Sequence, residues 1–292
     1  MELWEAKLEI AAAHAEAADT HLLESGLGEW SLHEDVVARR AWLVGIFADE
    51  TAANEGCATL KSTLPDVARD PFQVRKLPDS DWKNSYREHF KAWTFGRLHW
   101  VPVWERETFR LPEGHKVLWL DPGMAFGTGN HETTRLCIER LAEFESLLLP
   151  GAAAGLRVVD AGCGSGILAL SASLLGFNDV MGFDNDAEAV RVSIENAELN
   201  GLVSRVRFET DGLPTGLMPA DIVLANIQSD ILVRHVEALT SAVAPGGMLA
   251  MSGILSSEAA SVRSAFAAST QGWPCDSRIL GEWCDVCLRR PS

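Results

Sequence analysis

From about residue 118 onward the chain alternates strand-like and helix-like segments with regularity. Five apolar runs, "LRVVDA", "DVMGFD", "RVRFETD", "DIVLANI" and "GMLAMSGI", have strand character. Between them, segments such as "AEAVRVSIENAELN" and "SDILVRHVEALTSAV" carry apolar residues at helical spacing and end at an Asn-Gly or Pro-Gly-Gly stop. Such alternation implies a parallel sheet with helices on both faces, because parallel strands need long crossovers and apolar strands need cover. The end of the chain breaks the pattern. "CDSRILGEWCDVCLRR" gives two strand-like runs around Gly281 and Glu282 with no helix between them, hence an antiparallel hairpin at one sheet edge.

The first part of the chain follows another plan. Residues 1–78 read as strand, helix, strand, strand, helix, strand, the order of a ferredoxin-like unit. They hold no glycine-rich nucleotide loop and no cluster of catalytic residue types, which suits recognition or docking. Residues 79–118 are rich in tryptophan and locally basic. Trp82, Trp93, Trp100 and Trp104 could stack nucleic-acid bases. The favoured reading is a connecting helix and strand whose aromatics anchor packing. The expected organisation is therefore 1–78 as a recognition domain, 79–118 as a connecting segment and 119–292 as the α/β domain.

Ligands of open α/β sheets bind beyond the carboxyl ends of the strands, and the candidate residues stand there. "VVDAGCGSGIL" ends the first strand with Asp160, Gly162, Gly164 and Gly166 as D-x-G-x-G-x-G. The glycines permit a tight turn and close approach of a ligand to the backbone, above a helix N-terminus. A dinucleotide fingerprint needs glycine at the position of Ile167, so the spacing opposes NAD and an oxidoreductase. Asp160 would repel a pyrophosphate but suits a ligand carrying an ammonium and a sulfonium, such as S-adenosylmethionine. Asp184, 22 residues after Gly162 in "GFDND", fits an acid that accepts from ribose hydroxyls, with Asp186 the better helix cap. Asp211 in "FETDG" faces either adenine or only its own turn. Asn226 in "LANIQ" either orients an incoming amine through its carbonyl or caps the next helix.

Charge narrows the partners. The formal net charge of −16 at pH 7 disfavours binding through nucleic-acid phosphates and favours a basic protein partner. The acid-bearing first thirty residues lack the apolar run of a signal or membrane span, so a cytoplasmic protein is expected. Six cysteines give no disulfide framework, and Cys284 and Cys287 point to opposite faces of an apparent strand, so no metal site is expected.

Taken together, "LDPGMAFGTGNHETTRLC", "VVDAGCGSGILAL", "VMGFDNDAEAV", "NAELNG", "DIVLANI" and "GGMLAMSGIL" resemble the PrmA family, which methylates amino groups of large-subunit ribosomal protein eleven. The resemblance runs over nearly the whole chain and is most specific from residue 120 to 254. It implies an α/β fold of the class I methyltransferase type, doubly wound, with a mostly parallel seven-stranded sheet, an antiparallel C-terminal hairpin and a small ferredoxin-like domain. It also implies S-adenosyl-L-methionine as cofactor and a ribosomal protein as partner; a monomer is expected, with no direct contact to nucleic acid or membrane. On the family's pattern Thr134, Gly162, Asp184 and Asn226 fall on cofactor-binding positions. The sequence has Asn130 where the family usually has Thr, Glu132 where it has Pro, and Gln228 where it has Leu. His131 also matches, at a helix start where imidazoles are commonly structural. Rival readings are an enzyme of the same fold acting on RNA or a small molecule, and a nonenzymatic nucleotide-binding protein.

Overall fold

The computed structural model describes residues 3–15, 18, 21–22, 30–35, 40–64, 71–77, 92–120, 131–212 and 218–292. The chain divides into two compact units, residues 1–89 and 90–292. Segment 78–91 with Trp82, and segment 121–130 with Asn130, lie outside the described residues.

The smaller unit is an antiparallel sheet of β1 (Leu3–Ala11), β2 (Trp30–Asp35), β3 (Arg40–Phe47) and β4 (Gln73–Leu77) in the order β2-β3-β1-β4. That is the ferredoxin-like order. Strand alternation puts Ala6, Leu8 and Ile10 of β1 and Ala41 and Leu43 of β3 into one core. Ala53, Cys57 and Leu60 of helix α1 (Glu50–Thr63) close over it, and Asp49 caps that helix by accepting from the Ala52 N–H at 2.9 Å.

The larger unit opens with β5 (Trp93–Phe95), β6 (Leu98–Pro102) and β7 (Lys116–Leu120), a three-stranded sheet; the part of the expected connecting helix that falls on residues 79–91 lies outside the described residues. Trp100 is fully buried, packs edge-on to Phe95 and donates its indole N–H to Ser171 Oγ at 2.8 Å. Arg135 sits 3.9 Å over the Trp93 ring. These two tryptophans are packing anchors.

Helix α2 (Glu132–Ser146) then leads into the alternating region: β8 (Arg157–Ala161), α3 (Ile167–Leu175), β9 (Asp179–Asp184), α4 (Ala187–Leu199), β10 (Val206–Thr210) and β11 (Ala220–Asn226). Helices α5 (Ser229–Arg234) and α6 (Val236–Ser241), β12 (Val243–Leu255) and α7 (Ala259–Ala267) follow. The chain closes with β13 (Cys275–Asp276), β14 (Ile279–Leu280) and β15 (Trp283–Arg289). The sheet order is β10-β9-β8-β11-β12-β15-β13, with β14 also on β15. Its first five strands are parallel and β15 runs antiparallel to β12, β13 and β14. One core lies under α2 and α3, with Ile138, Leu168 and Val158, and a second under α5 to α7, with Leu232, Phe266 and Val223. Cys287 belongs to the first and Cys284 to the second, on opposite sheet faces.

Two local expectations differ from the structure. "SDILVRHVEALTSAV" is two short helices, because His235 leaves the helical region at φ −113°, ψ 25°. The Pro-Gly-Gly stop lies inside β12, where a register shift between Ala220 and Ile222 absorbs the extra residues as a bulge. Among the described residues no helix is long and apolar enough to cross a membrane.

Candidate active site

Strand order reverses at β8, which has β9 on one side and β11 on the other. A crevice at the carboxyl ends of such strands is where this architecture takes ligands, and Asp160, Asp184 and Asn226 stand at the ends of β8, β9 and β11.

The turn after β8 is built by its glycines. Gly162, Gly164 and Gly166 have φ of 73°, 52° and 76°, the left-handed region that a Cβ disfavours. The N–H groups of Gly162 and Cys163 both donate to Phe183 O, at 2.9 and 3.0 Å, which ties the turn to the end of β9. From α4, Ser193 Oγ donates to Gly164 O at 2.8 Å and Asn196 Nδ2 to Ser165 O at 2.9 Å. The turn is thus held from two sides, by the end of β9 and by α4. Burial pushes the Cys163 thiol well above its usual range, which removes it as a nucleophile.

Asp160 is buried, and its Oδ2 accepts from the Ala169 N–H at 3.1 Å in the first turn of α3. Its Oδ1 has no hydrogen-bond partner among the described residues. Desolvation, with a smaller contribution from Asp184, raises the carboxyl to about 7. A buried carboxylate oxygen without a partner calls for a cationic or donating ligand group. Asp184 accepts from Gly164 N–H at 2.9 Å through one oxygen and from Asp186 N–H at 3.0 Å through the other. Each oxygen keeps a lone pair, and the two bonds fix the carboxylate plane. Asp186 is the cap of α4, accepting from Glu188 N–H at 2.9 Å.

On the other side of the crevice, Asn226 Nδ2 donates to Thr134 Oγ1 at 3.2 Å. This joins the end of β11 to the first turn of α2, where Thr134 is buried. Asn226 therefore does not cap the next helix, whose N-cap position is Gln228, an exposed residue. His131 is the N-cap of α2, with Nδ1 accepting weakly from Thr133 N–H at 3.3 Å and its ring edge-on to Trp283. Asp211 is exposed, directly follows β10 and donates its N–H to Asp184 O at 2.9 Å.

Sequence reasoning missed Ile227 and Gly253. A Cβ placed on Gly162 would overlap Ile227 Cγ2, and one on Gly253 would overlap Ile227 O with Ile227 C at 2.8 Å. An isolated glycine inside the strand "MSGIL" was the available signal, since it marks a close approach of another backbone.

The residues fit S-adenosylmethionine. The unpartnered Asp160 oxygen suits an ammonium, and Asp184 offers two fixed acceptors. Comparison with known proteins agrees. The family model for ribosomal protein L11 methyltransferase (PrmA) matches residues 4–291. The protein of that name from Pseudomonas aeruginosa is 40% identical over 275 residues, 90% of this chain and 86% of its own length. Its namesake from Geobacter sp. (strain M21) is 42% identical over 208 residues, 70% of this chain and 66% of its own length. The crystal structure of ribosomal protein L11 methylase from Lactobacillus delbrueckii subsp. bulgaricus superposes with a TM-score of 0.60 at 29% identity, covering 70% of this chain and 100% of that one. With a match that spans both units, the chain belongs to the ribosomal protein L11 methyltransferase (PrmA) family.

Proposed function

We propose that this protein transfers methyl groups from S-adenosyl-L-methionine to amines of ribosomal protein L11, at a lysine side chain, an N-terminal α-amine or both. When bound, the cofactor supplies an electrophilic methyl on a sulfonium; alignment and proton control fall to the chain's own residues. Gly162, Gly164 and Gly166 let the ligand approach the backbone, Asp160 faces its ammonium, and Asp184 accepts from its ribose hydroxyls. Asn226 is the catalytic residue of this reading. With its nitrogen committed to Thr134, its carbonyl oxygen accepts from the incoming amine and aims the lone pair. A free lysine, with a pKa of about 10.4, must first lose a proton, which desolvation in the crevice favours.

The single observation that carries this reading is the Asn226–Thr134 hydrogen bond, which ties the end of β11 to the first turn of α2. The domain read over residues 1–78, within the smaller unit, presents the ribosomal protein. The net charge of −16 supports a basic partner over a nucleic acid. A monomer working in the cytoplasm, where ribosomal proteins are made, completes the reading.

Intact mass of L11 after incubation with enzyme and S-adenosylmethionine is the direct test, followed by peptide mapping to separate lysine from N-terminal modification. Mass should rise in methylene-sized steps with wild-type enzyme, since each methyl transferred replaces a proton on the amine. Asp184→Ala should weaken S-adenosylhomocysteine binding about 10–100-fold, the worth of one or two hydrogen bonds to a charged group. Asn226→Ala should instead slow transfer about 10–1,000-fold with binding nearly unchanged. An L11 mass that never changes, with cofactor bound, would redirect the search to other acceptors and sink this one.

A further inference from the structure

Asn226 reaches Thr134 with its side chain, and the residue after it is held on two other sides. Gly162, in the cofactor turn, has φ 73°, and a Cβ there would overlap Ile227 Cγ2, with Ile227 Cβ the next atom at 3.8 Å. Gly253, in β12, has φ 82°, and a Cβ there would overlap Ile227 O, with Ile227 C at 2.8 Å and N at 3.2 Å. Ile227 is half-buried against the core under α5 to α7, so it cannot swing away without uncovering that core. The main chain of β12 is itself adapted to this contact: its pairing with β15 shifts register between Met251 and Ile254, around Gly253. Ser252, beside it, donates to Cys284 O at 3.3 Å and pairs across the sheet with Asn226.

We propose that Ile227 is a positioning residue that couples the cofactor turn to the acceptor-side amide, its side chain filling the notch left by Gly162 and its main chain resting on Gly253. The inference deepens the methyltransferase reading of the site and rests on it. Ile227 is bonded to Asn226, so any shift of its main chain rotates the Asn226 side chain. Any shift of its side chain changes the floor under the cofactor turn. The two glycines act on different atoms. Crowding at Gly162 meets a side chain and is relieved by shortening it. Crowding at Gly253 meets a carbonyl that every residue at 227 carries, and no substitution there relieves it.

This asymmetry gives a double-mutant cycle. S-adenosylhomocysteine affinity is measured by calorimetry for wild type, Gly162→Ala, Ile227→Ala and the double variant, and transfer is measured at saturating donor for the same set, for Gly253→Ala and for Gly253→Ala with Ile227→Ala. Gly162→Ala should lose affinity about tenfold or more, part of it the cost of a Cβ at positive φ that no change at 227 relieves; adding Ile227→Ala should remove the part due to the contact, so that the double variant loses about threefold or more less than the two single losses combined, a coupling expected only of residues in contact. Gly253→Ala should lower transfer about tenfold or more, with no recovery when Ile227→Ala is added. If Gly253→Ala does not fold, judged by its melting curve, the Gly162/Ile227 cycle decides alone. Additive losses in that cycle overturn the coupling while leaving the methyltransferase reading intact. Failure of wild-type protein to bind S-adenosylhomocysteine at all would sink the underlying reading instead.

Discussion

Asp160→Asn is expected to weaken S-adenosylmethionine binding about 10–100-fold, the value of a hydrogen bond to a charged group, while raising the melting temperature of the ligand-free protein at pH 8. The two effects share one cause. The carboxyl is buried, its Oδ1 has no partner among the described residues, and desolvation raises it to about 7. In the unfolded chain it titrates near 3.9. Between about pH 4 and 7 the folded protein therefore holds a proton that the unfolded chain has released, and its stability falls as pH rises through that window. Above about pH 7 the loss is complete. Asparagine has the same shape, still accepts from the Ala169 N–H and carries no charge. The gain at pH 8 should be ~1–3 kcal/mol, below the ~4 kcal/mol that three pKa units represent, because solvent and neighbours relax around the charge.

Cofactor binding runs the opposite way. A cationic ligand group beside Asp160 favours the ionised carboxylate, so wild-type affinity should weaken by up to about tenfold per pH unit below 7 and level off above it. The asparagine variant should bind weakly and show no such slope. Calorimetry at pH 6, 7 and 8, with thermal melts at pH 5 and 8, reads both effects. A variant that binds as tightly as wild type with the same pH profile would remove Asp160 from the cofactor site. Equal melting temperatures at pH 8 would show that the buried charge costs the fold nothing.

Asp160, the glycine turn, Asp184 and Asn226 were legible in the sequence for one reason. Each ends a strand whose apolar pattern is continuous, and in a parallel α/β sheet all such ends meet on one edge. The smaller sheet was legible for a similar reason, since the βαββαβ order leaves few arrangements. What escaped were contacts fixed by packing across long sequence separations. Thr134 reaches Asn226 only because α2 lies along β11 and β12, and no local pattern states that placement. Gly253 announced that something approaches β12, but only the fold supplies Ile227 as the visitor. The strands within 92–120, most of which falls in the 79–118 segment expected as a connection, are short and separated by turns, and the pairing of β6 parallel to β7 joins residues that sequence proximity does not link.

Helix α2, which carries Thr134, is tied to β15 by a buried ion pair that yields the largest expected stability effect. Arg140 of α2 donates from Nε to Asp285 Oδ2 at 2.7 Å and from Nη2 to Oδ1 at 2.9 Å, both side chains being buried. Asp285 Oδ1 also accepts from the Arg278 N–H at 2.7 Å, and Asp276 adds a second carboxylate beside Arg140. Burial works against the Arg140 charge, yet the hydrogen bonds and charge of Asp285 outweigh it and hold the guanidinium above its ordinary pKa. Asp285→Ala leaves that guanidinium buried without its main partner and should cost ~3–5 kcal/mol, a fall in melting temperature of roughly 10 °C. Salt should not change the fall, because the pair is shielded from solvent. Arg140→Met with Asp285→Leu removes both charges at similar volume and should recover most of the loss, short of the orphaned Arg278 N–H, worth ~1 kcal/mol. Recovery of stability in the double variant, with cofactor affinity regained, would assign the pair a role in placing α2 through packing alone. Stability regained while transfer stays slow would mean that the bidentate geometry also sets the position of Thr134 against Asn226. A mild loss in Asp285→Ala, below ~1 kcal/mol, would mean that Asp276 suffices to hold Arg140 and that the pair is not what fixes the helix.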